Sequence, residues 1–144
     1  MRRVNLLMTP RYKKSYRVLV VDDDPSVLAT YRRLLCRQGY ETLAEDDPAR
    51  VLAIGLQAPV DLLLLDYKMP AMDGLTLLAE LRRRECRARC ILLSAFVNDD
   101  VRNQAHNLGV DRVLEKPVSI NELRSALDEL LPQQAAGSRV TVAS

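Results

Sequence analysis

The chain has 144 residues, of which 48% are apolar and 28% are charged, and its formal net charge is +2. This length corresponds to one domain with its own core, which excludes a large multidomain enzyme. Unbroken aliphatic runs such as Leu62–Leu65 are far shorter than the about 20 residues that cross a membrane, and no signal peptide is recognised. We therefore expect a cytoplasmic protein with no membrane contact.

Positive charge is concentrated at the start of the chain. Residues 1–17 hold six cations and no acid, whereas residues 18–131 hold 14 cations and 19 acids. An acidic body argues against direct nucleic-acid binding by this domain. We expect residues 1–16 to be a basic flexible leader, residues 17–131 to be the folded domain, and residues 132–144 to be a flexible tail or linker.

Strand-like and helix-like patterns alternate along the chain. Short apolar runs predict five strands, at Arg17–Val21, Tyr40–Ala44, Asp61–Leu65, Cys90–Leu93 and Arg112–Glu115. Capping residues followed by apolar residues at helical spacing predict five helices, which start at Asp24-Pro25, Asp47-Pro48, Asp73-Gly74, Asn98 and Ser119. The inner stripe of the last helix is predicted to hold Ile120, Leu123, Leu127, Leu130 and Leu131.

The strands are apolar throughout instead of alternating, which is typical of strands buried on both faces. Together with the strand–helix order, this predicts an α/β domain with a five-stranded parallel sheet, doubly wound as (βα)5. In such sheets, ligands bind beyond the carboxyl ends of the strands.

Cysteine and histidine usage excludes several kinds of site. Cys36, Cys86 and Cys90 are expected to be reduced, buried or half-buried thiols, because no partner set for zinc lies near them. His106 is the only histidine, and the pattern places it on an exposed helix face. A two-histidine metal site is therefore excluded.

Polar residues cluster where the predicted strands end. Asp22 and Asp23 follow the first strand, Asp66 the third, Ser94 the fourth, and Lys116 the fifth. Converging carboxylates repel one another unless a cation lies among them, and oxygen ligands suit Mg²⁺. An aspartate can then act as a nucleophile towards phosphorus, while a lysine and a hydroxyl stabilise the phosphoryl oxygens.

With these residues at the strand ends, the chain resembles a known family, the CheY-like receiver domains of bacterial two-component response regulators, which have a flavodoxin-like fold. The matching stretches are VLVVDDDPSVL (18–28), DLLLLDYKMPAMDGLTLLAELR (61–82), ILLSA (91–95) and LEKPVSINEL (114–123). They cover nearly all of residues 17–131 in the family's order.

The resemblance implies a role for each matching residue. Asp66 would be the phosphoacceptor, and Asp22, Asp23, Asp66 and the backbone carbonyl of Lys68 would hold Mg²⁺. Ser94 would move towards the phosphoryl group, and Lys116 would pair with it. One position departs from the family, since Val113 stands where a Tyr or Phe usually reports activation.

The resemblance also implies the kind of function. The chain would accept a phosphoryl group from a sensor histidine kinase or phosphotransfer protein, and switch conformation without a separate substrate. A homodimer through the fourth and fifth helices is one arrangement that it implies. Two alternatives remain at this point: a Mg²⁺-dependent aspartyl-phosphate phosphatase of the haloacid dehalogenase type, for which a cap domain has no room, and a non-phosphorylated pseudo-receiver that only binds partners.

Overall fold

The structure is a computed structural model that describes residues 15–132, with the backbone alone for residues 54–57. The leader predicted at residues 1–16 therefore lies almost wholly outside the described residues. The same holds for the tail predicted at residues 132–144.

Strands and helices alternate as the sequence predicts, and the ends of the first and last strands are as predicted, whereas those of the other three strands differ by one residue. The strands are β1 Arg17–Val21, β2 Glu41–Glu45, β3 Leu62–Asp66, β4 Arg89–Ser94 and β5 Arg112–Glu115. The helices are α1 Pro25–Arg37, α2 Pro48–Gln57, α3 Gly74–Arg83, α4 Asp99–Asn107 and α5 Ile120–Leu130. Among these helices, none is long and apolar enough to cross a membrane.

All five strands are parallel and lie in the order β2-β1-β3-β4-β5, which confirms the predicted doubly wound fold. The first strand, β1, lies inside the sheet between β2 and β3, so β1 and β3 are hydrogen-bonded neighbours although a strand and two helices separate them in sequence. Their register pairs Val21 with Leu65, while Asp66 pairs with Leu93 of β4. The polar residues that end these strands therefore meet at one edge.

Each face of the sheet carries its own apolar layer. Because successive strand residues point to opposite faces, Leu19, Leu63 and Leu65 pack on one side, and Val18 and Leu64 on the other. The first side is covered by residues of α2, α3 and α4, and the second by residues of α1 and α5. This burial on both faces explains why the strands are continuously apolar.

Two expectations about exposure are wrong. Ile120 was expected on the inner stripe of α5, but it is 54% exposed, and Ala126 is buried in that helix instead. Cys36 is exposed, whereas Cys86 is half-buried and Cys90 is buried as expected. Burial raises the pKa of the Cys90 thiol to about 12, so this thiol stays protonated.

At the amino-terminal edge of the sheet, the half-buried Arg82 forms hydrogen bonds to the loop after α3 and to the loop after α4. Its guanidinium donates to the carbonyl oxygens of Cys86 and Ala88, at 3.0 and 2.8 Å. It also donates to the carbonyl oxygens of Leu108 and Gly109, at 3.1 and 3.3 Å. A cation is favourable here because the negative ends of the α3 and α4 dipoles converge at this edge.

We predict that Arg82→Met lowers the free energy of unfolding by about 2–3 kcal/mol, because partly buried carbonyls lose their donors. Urea denaturation of the full chain measures this loss. Arg83→Met is the matched control, since Arg83 is exposed and pairs with Glu80 on the surface of α3, and it should cost less than about 0.5 kcal/mol. Equal losses in the two variants would contradict the role given to Arg82.

Candidate functional site

Three carboxylates meet at the carboxyl edge of the sheet. Asp22 follows β1 and Asp66 ends the neighbouring β3, so the strand register brings them together, and Asp23 lies beside them. One oxygen from each of the three lies within 4.8 Å of the others. Asp22 and Asp66 are only 3% and 5% exposed, whereas Asp23 is exposed.

Lys116, just after β5, supplies positive charge to this cluster. Its Nζ donates to Oδ1 of Asp66 at 2.6 Å and lies 4.0 Å from Oδ2 of Asp22. Partial burial acts to lower the pKa of the Lys116 ammonium, but the hydrogen bond and charge of Asp66 outweigh it, so this pKa is raised. Lys116 is therefore a stable cation at physiological pH.

The Asp22 carboxylate is only half satisfied. Its Oδ1 accepts from the backbone N–H of Asp24 at 3.0 Å, but its buried Oδ2 accepts no hydrogen bond from any of the described residues. Burial raises the pKa of Asp22, the Asp24 N–H partly offsets that rise, and the negative charge of Asp66 adds to it. A buried carboxylate oxygen without a donor is costly, and a bound cation relieves that cost.

The donor set fits a hard divalent cation. It consists of carboxylate oxygens from Asp22, Asp23 and Asp66, and one oxygen of Asp22 has no hydrogen-bond donor in the part of the chain that the structure describes. Mg²⁺ prefers such oxygen ligands and retains several waters, which the exposed side of the cluster at Asp23 allows. The residues expected as metal ligands from their side chains are thus the ones brought together.

Ser94 is buried at the end of β4, the strand next to β3. Its hydroxyl forms two hydrogen bonds with the backbone of the loop that follows β4. The hydroxyl donates to the carbonyl oxygen of Phe96 at 2.7 Å and accepts from the Phe96 N–H at 3.2 Å. The Ser94 carbonyl accepts from the Lys116 N–H at 2.8 Å, which joins the ends of β4 and β5. Phe96 itself is 69% exposed.

Gly74 contributes in a way that the sequence reading missed. The sequence predicts only that a helix starts at Gly74. In the structure, a Cβ at this position would lie 2.5 Å from the carbonyl oxygen of Asp66, so only glycine fits without a shift. The Gly74 N–H donates to the Tyr67 carbonyl at 2.7 Å, so the start of α3 packs directly against the end of β3. In the sequence, the glycine that directly follows the capping residue Asp73 is the feature that could have indicated this close packing.

Comparison with known proteins agrees with this geometry. The family model described as "Response regulator receiver domain" matches residues 18–128. Sporulation initiation phosphotransferase F of Bacillus subtilis is 29% identical over 116 residues, which are 81% of this chain and 94% of that protein.

Two further proteins extend the comparison. Transcriptional regulatory protein PrrA of Mycobacterium leprae is 35% identical over 122 residues, which are 85% of this chain, but this chain spans only 52% of the length of PrrA. The crystal structure of a CheY-like receiver domain protein from Methanospirillum hungatei superimposes with a TM-score of 0.76 at 28% identity, covering 81% of this chain and 93% of the other.

The electrostatics of Asp22 predict a pH-dependent stability. Because its pKa in the folded state is raised above the ordinary value of 3.8, the ionised form destabilises the fold at neutral pH, and this cost disappears as the pH falls below 3.8. In metal-free buffer, Asp22→Asn should therefore stabilise the protein at pH 7 by about 1–2 kcal/mol, with less effect towards pH 4. Urea denaturation in EDTA at both pH values measures the difference.

Asp46→Asn is the matched control for this prediction. Asp46 is exposed and pairs with Arg50 on the surface, so its substitution should change stability by less than about 0.5 kcal/mol at either pH. A destabilised Asp22→Asn at pH 7 would show that the carboxylate is not under electrostatic strain.

Proposed function

The chain belongs to the response regulator receiver domain family, which acts in phosphorelay signalling, and from this premise we propose that it is switched by phosphorylation of Asp66. The observation that carries the proposal is the 2.6 Å contact between the Lys116 ammonium and the Asp66 carboxylate, inside a group of three carboxylates. A nucleophilic carboxylate beside a cation is the arrangement that phosphoryl transfer requires.

The proposed reaction uses one oxygen of Asp66 as the nucleophile. In transfer from a phosphohistidine, the new O–P bond forms as the N–P bond breaks, and its electron pair stays on the imidazole nitrogen. Lys116 stays beside the carboxyl group and compensates the charge that arrives with the phosphoryl oxygens. The hydroxyl of Ser94 would leave the Phe96 carbonyl and donate to a phosphoryl oxygen.

Mg²⁺ is part of the same proposal. Asp22, Asp23 and Asp66 would hold it, as the cluster of the three carboxylates supports. The resemblance to the family adds the backbone carbonyl of Lys68 to these ligands. When bound, the ion neutralises negative charge on the phosphoryl oxygens. The buried Oδ2 of Asp22, which has no hydrogen-bond donor within residues 15–132, would gain a compensating charge from it.

The family membership does not favour a phosphatase of the haloacid dehalogenase type, because the match over residues 18–128 leaves no cap domain in that region. Receiver domains are signalling switches, and we propose that this chain likewise turns over no separate substrate. The complete set of Asp66, Ser94 and Lys116 argues against a pseudo-receiver.

The partners follow from the same proposal. We infer that this chain acts in the cytoplasm and that a sensor histidine kinase or phosphotransfer protein supplies the phosphoryl group. The output would be read from the surface formed by α4, β5 and α5, which could also form a homodimer. The acidic balance of residues 18–131 does not favour direct nucleic-acid binding.

The phosphoacceptor can be tested with a small donor. Acetyl phosphate with Mg²⁺ should add one phosphoryl group to the full chain and release acetate, and Asp66→Asn should reduce that addition at least about 100-fold, since the nucleophile is lost. Intact-mass spectrometry measures the addition. Asp46→Asn, an exposed aspartate outside the cluster, should be labelled like the wild type.

Omitting Mg²⁺ or introducing Asp23→Ala should also suppress labelling, because both remove the cation from the site. Equal mass addition to wild type and Asp66→Asn would refute the assignment of the nucleophile. Normal labelling of Asp23→Ala would show that the metal is held by other residues.

The hydrogen bonds of Ser94 predict which part of the chain changes conformation on phosphorylation. If its hydroxyl turns to the phosphoryl group, Phe96 loses both bonds, and the loop towards α4 must rearrange. Beryllofluoride with Mg²⁺ should therefore shift the amide NMR signals of residues 94–108 more than those of residues 40–55. Ser94→Thr should retain this pattern, whereas Ser94→Ala should weaken it; larger shifts in residues 40–55 would show that this is not the output face.

A further inference from the structure

A groove of about 280 Å³ runs between α1 and α5, and nothing in the proposed phosphorylation chemistry uses it. Its walls are mainly apolar, with Val27, Tyr31, Leu34, Val118, Ile120 and Leu123 among the lining residues. Ile120, at the start of α5, is 54% exposed. An apolar groove with so exposed an isoleucine is suited to receive another apolar segment.

The chain enters the fold on the same face as this groove. Tyr16 packs against the same buried apolar layer as the groove residues Leu34 and Val118, and its hydroxyl donates to the carbonyl oxygen of Pro132 at 2.6 Å. Tyr16 therefore lies beside the end of α5, on the side of the sheet that α1 and α5 cover. Residues 1–14, which lie outside the described residues, precede this point directly.

We propose that the leader docks in this groove through Val4, Leu6, Leu7 and Met8. These residues form an apolar cluster between two groups of cations in the leader. The 11-residue helix α5 is about 16 Å long, and residues 9–15 span up to about 23 Å when extended. This length is sufficient for the four apolar residues to reach the end of the groove at Ile120, the first residue of α5.

Charge supports the same occupant. Ser26 and Ser119 line the groove at its end near the carboxylate cluster. Asp24 accepts hydrogen bonds from the N–H and hydroxyl of Ser26, each at 2.9 Å, and Glu122 forms a capping box with Ser119. Carboxylates thus flank this end of the groove.

The basic residues of the leader complement these carboxylates. Arg2 and Arg3 precede the apolar cluster, so docking that places Leu6 and Leu7 over Ile120 brings both arginines towards Asp24 and Glu122. The leader has no acidic residue that would oppose this approach. A second copy of the chain or a partner helix has no comparable argument from the described residues.

The test uses the absence of tryptophan from the chain. In the chain of residues 1–144, Leu7→Trp introduces a single tryptophan. Its fluorescence should lie at shorter wavelength than in urea, and acrylamide should quench it several-fold less than in urea. Adding Ile120→Asp should return both properties towards those of an exposed tryptophan. Phe96→Asp is the matched control, because Phe96 is also an exposed apolar residue but lies outside the groove, and it should change neither property.

Protein concentration separates the possible occupants. Tryptophan burial that is the same at low and high concentration supports docking within one chain. Burial that appears only at high concentration, with a dimer by sedimentation, would overturn the proposal in favour of a second copy. A solvent-exposed tryptophan at all concentrations would also overturn it and leave the groove to a partner protein.

A second measurement leaves the groove itself unaltered. In the chain with Leu6→Asp and Leu7→Asp, the amide NMR signals of residues 27–34 and 118–123 should shift, whereas those of residues 74–83 should not. Val140→Asp with Val142→Asp is the control at the other end of the chain and should leave all of these signals in place. Unchanged groove signals in the leader variant would overturn the proposal.

Discussion

The ion pair between Lys116 and Asp66 is the interaction on which the carboxyl edge of the sheet depends. The sheet order places Asp22 and Asp66 side by side at the ends of β1 and β3, nearly buried, and burial makes their like charges expensive. The ammonium of Lys116 lies 2.6 Å from one carboxylate and 4.0 Å from the other. It compensates only part of the charge, and the remainder makes the edge receptive to a cation.

The same lysine connects this edge to the groove between α1 and α5. Val118 and Ser119, which follow it within three residues, are groove residues. Burial raises the pKa of Tyr31, another groove residue; the charge of Lys116 opposes that rise, and those of Asp22 and Asp66 add to it. The charges of Lys116, Asp22 and Asp66 therefore act on the phenol of Tyr31, which lines the groove.

The sequence by itself determined the order of the elements and the residues at the strand ends. Continuous apolar runs predict strands buried on both faces, and pairs such as Asp24-Pro25 and Asp73-Gly74 mark where helices begin. These signals are local, because periodicity and capping depend on residues a few positions apart. A parallel sheet then requires that Asp22, Asp66 and Lys116 share one edge, so the composition of the site could be predicted as well.

Only the tertiary structure decided how these residues contact one another. The Lys116–Asp66 distance, the unsatisfied oxygen of Asp22 and the close approach of Gly74 to Asp66 join residues from different strands and loops, and no local pattern encodes such distances. Ile120 shows the same limit, since helical spacing puts it on the apolar stripe of α5, yet it stays 54% exposed. Burial depends on what another element covers, and the described helices leave this residue at the rim of a groove.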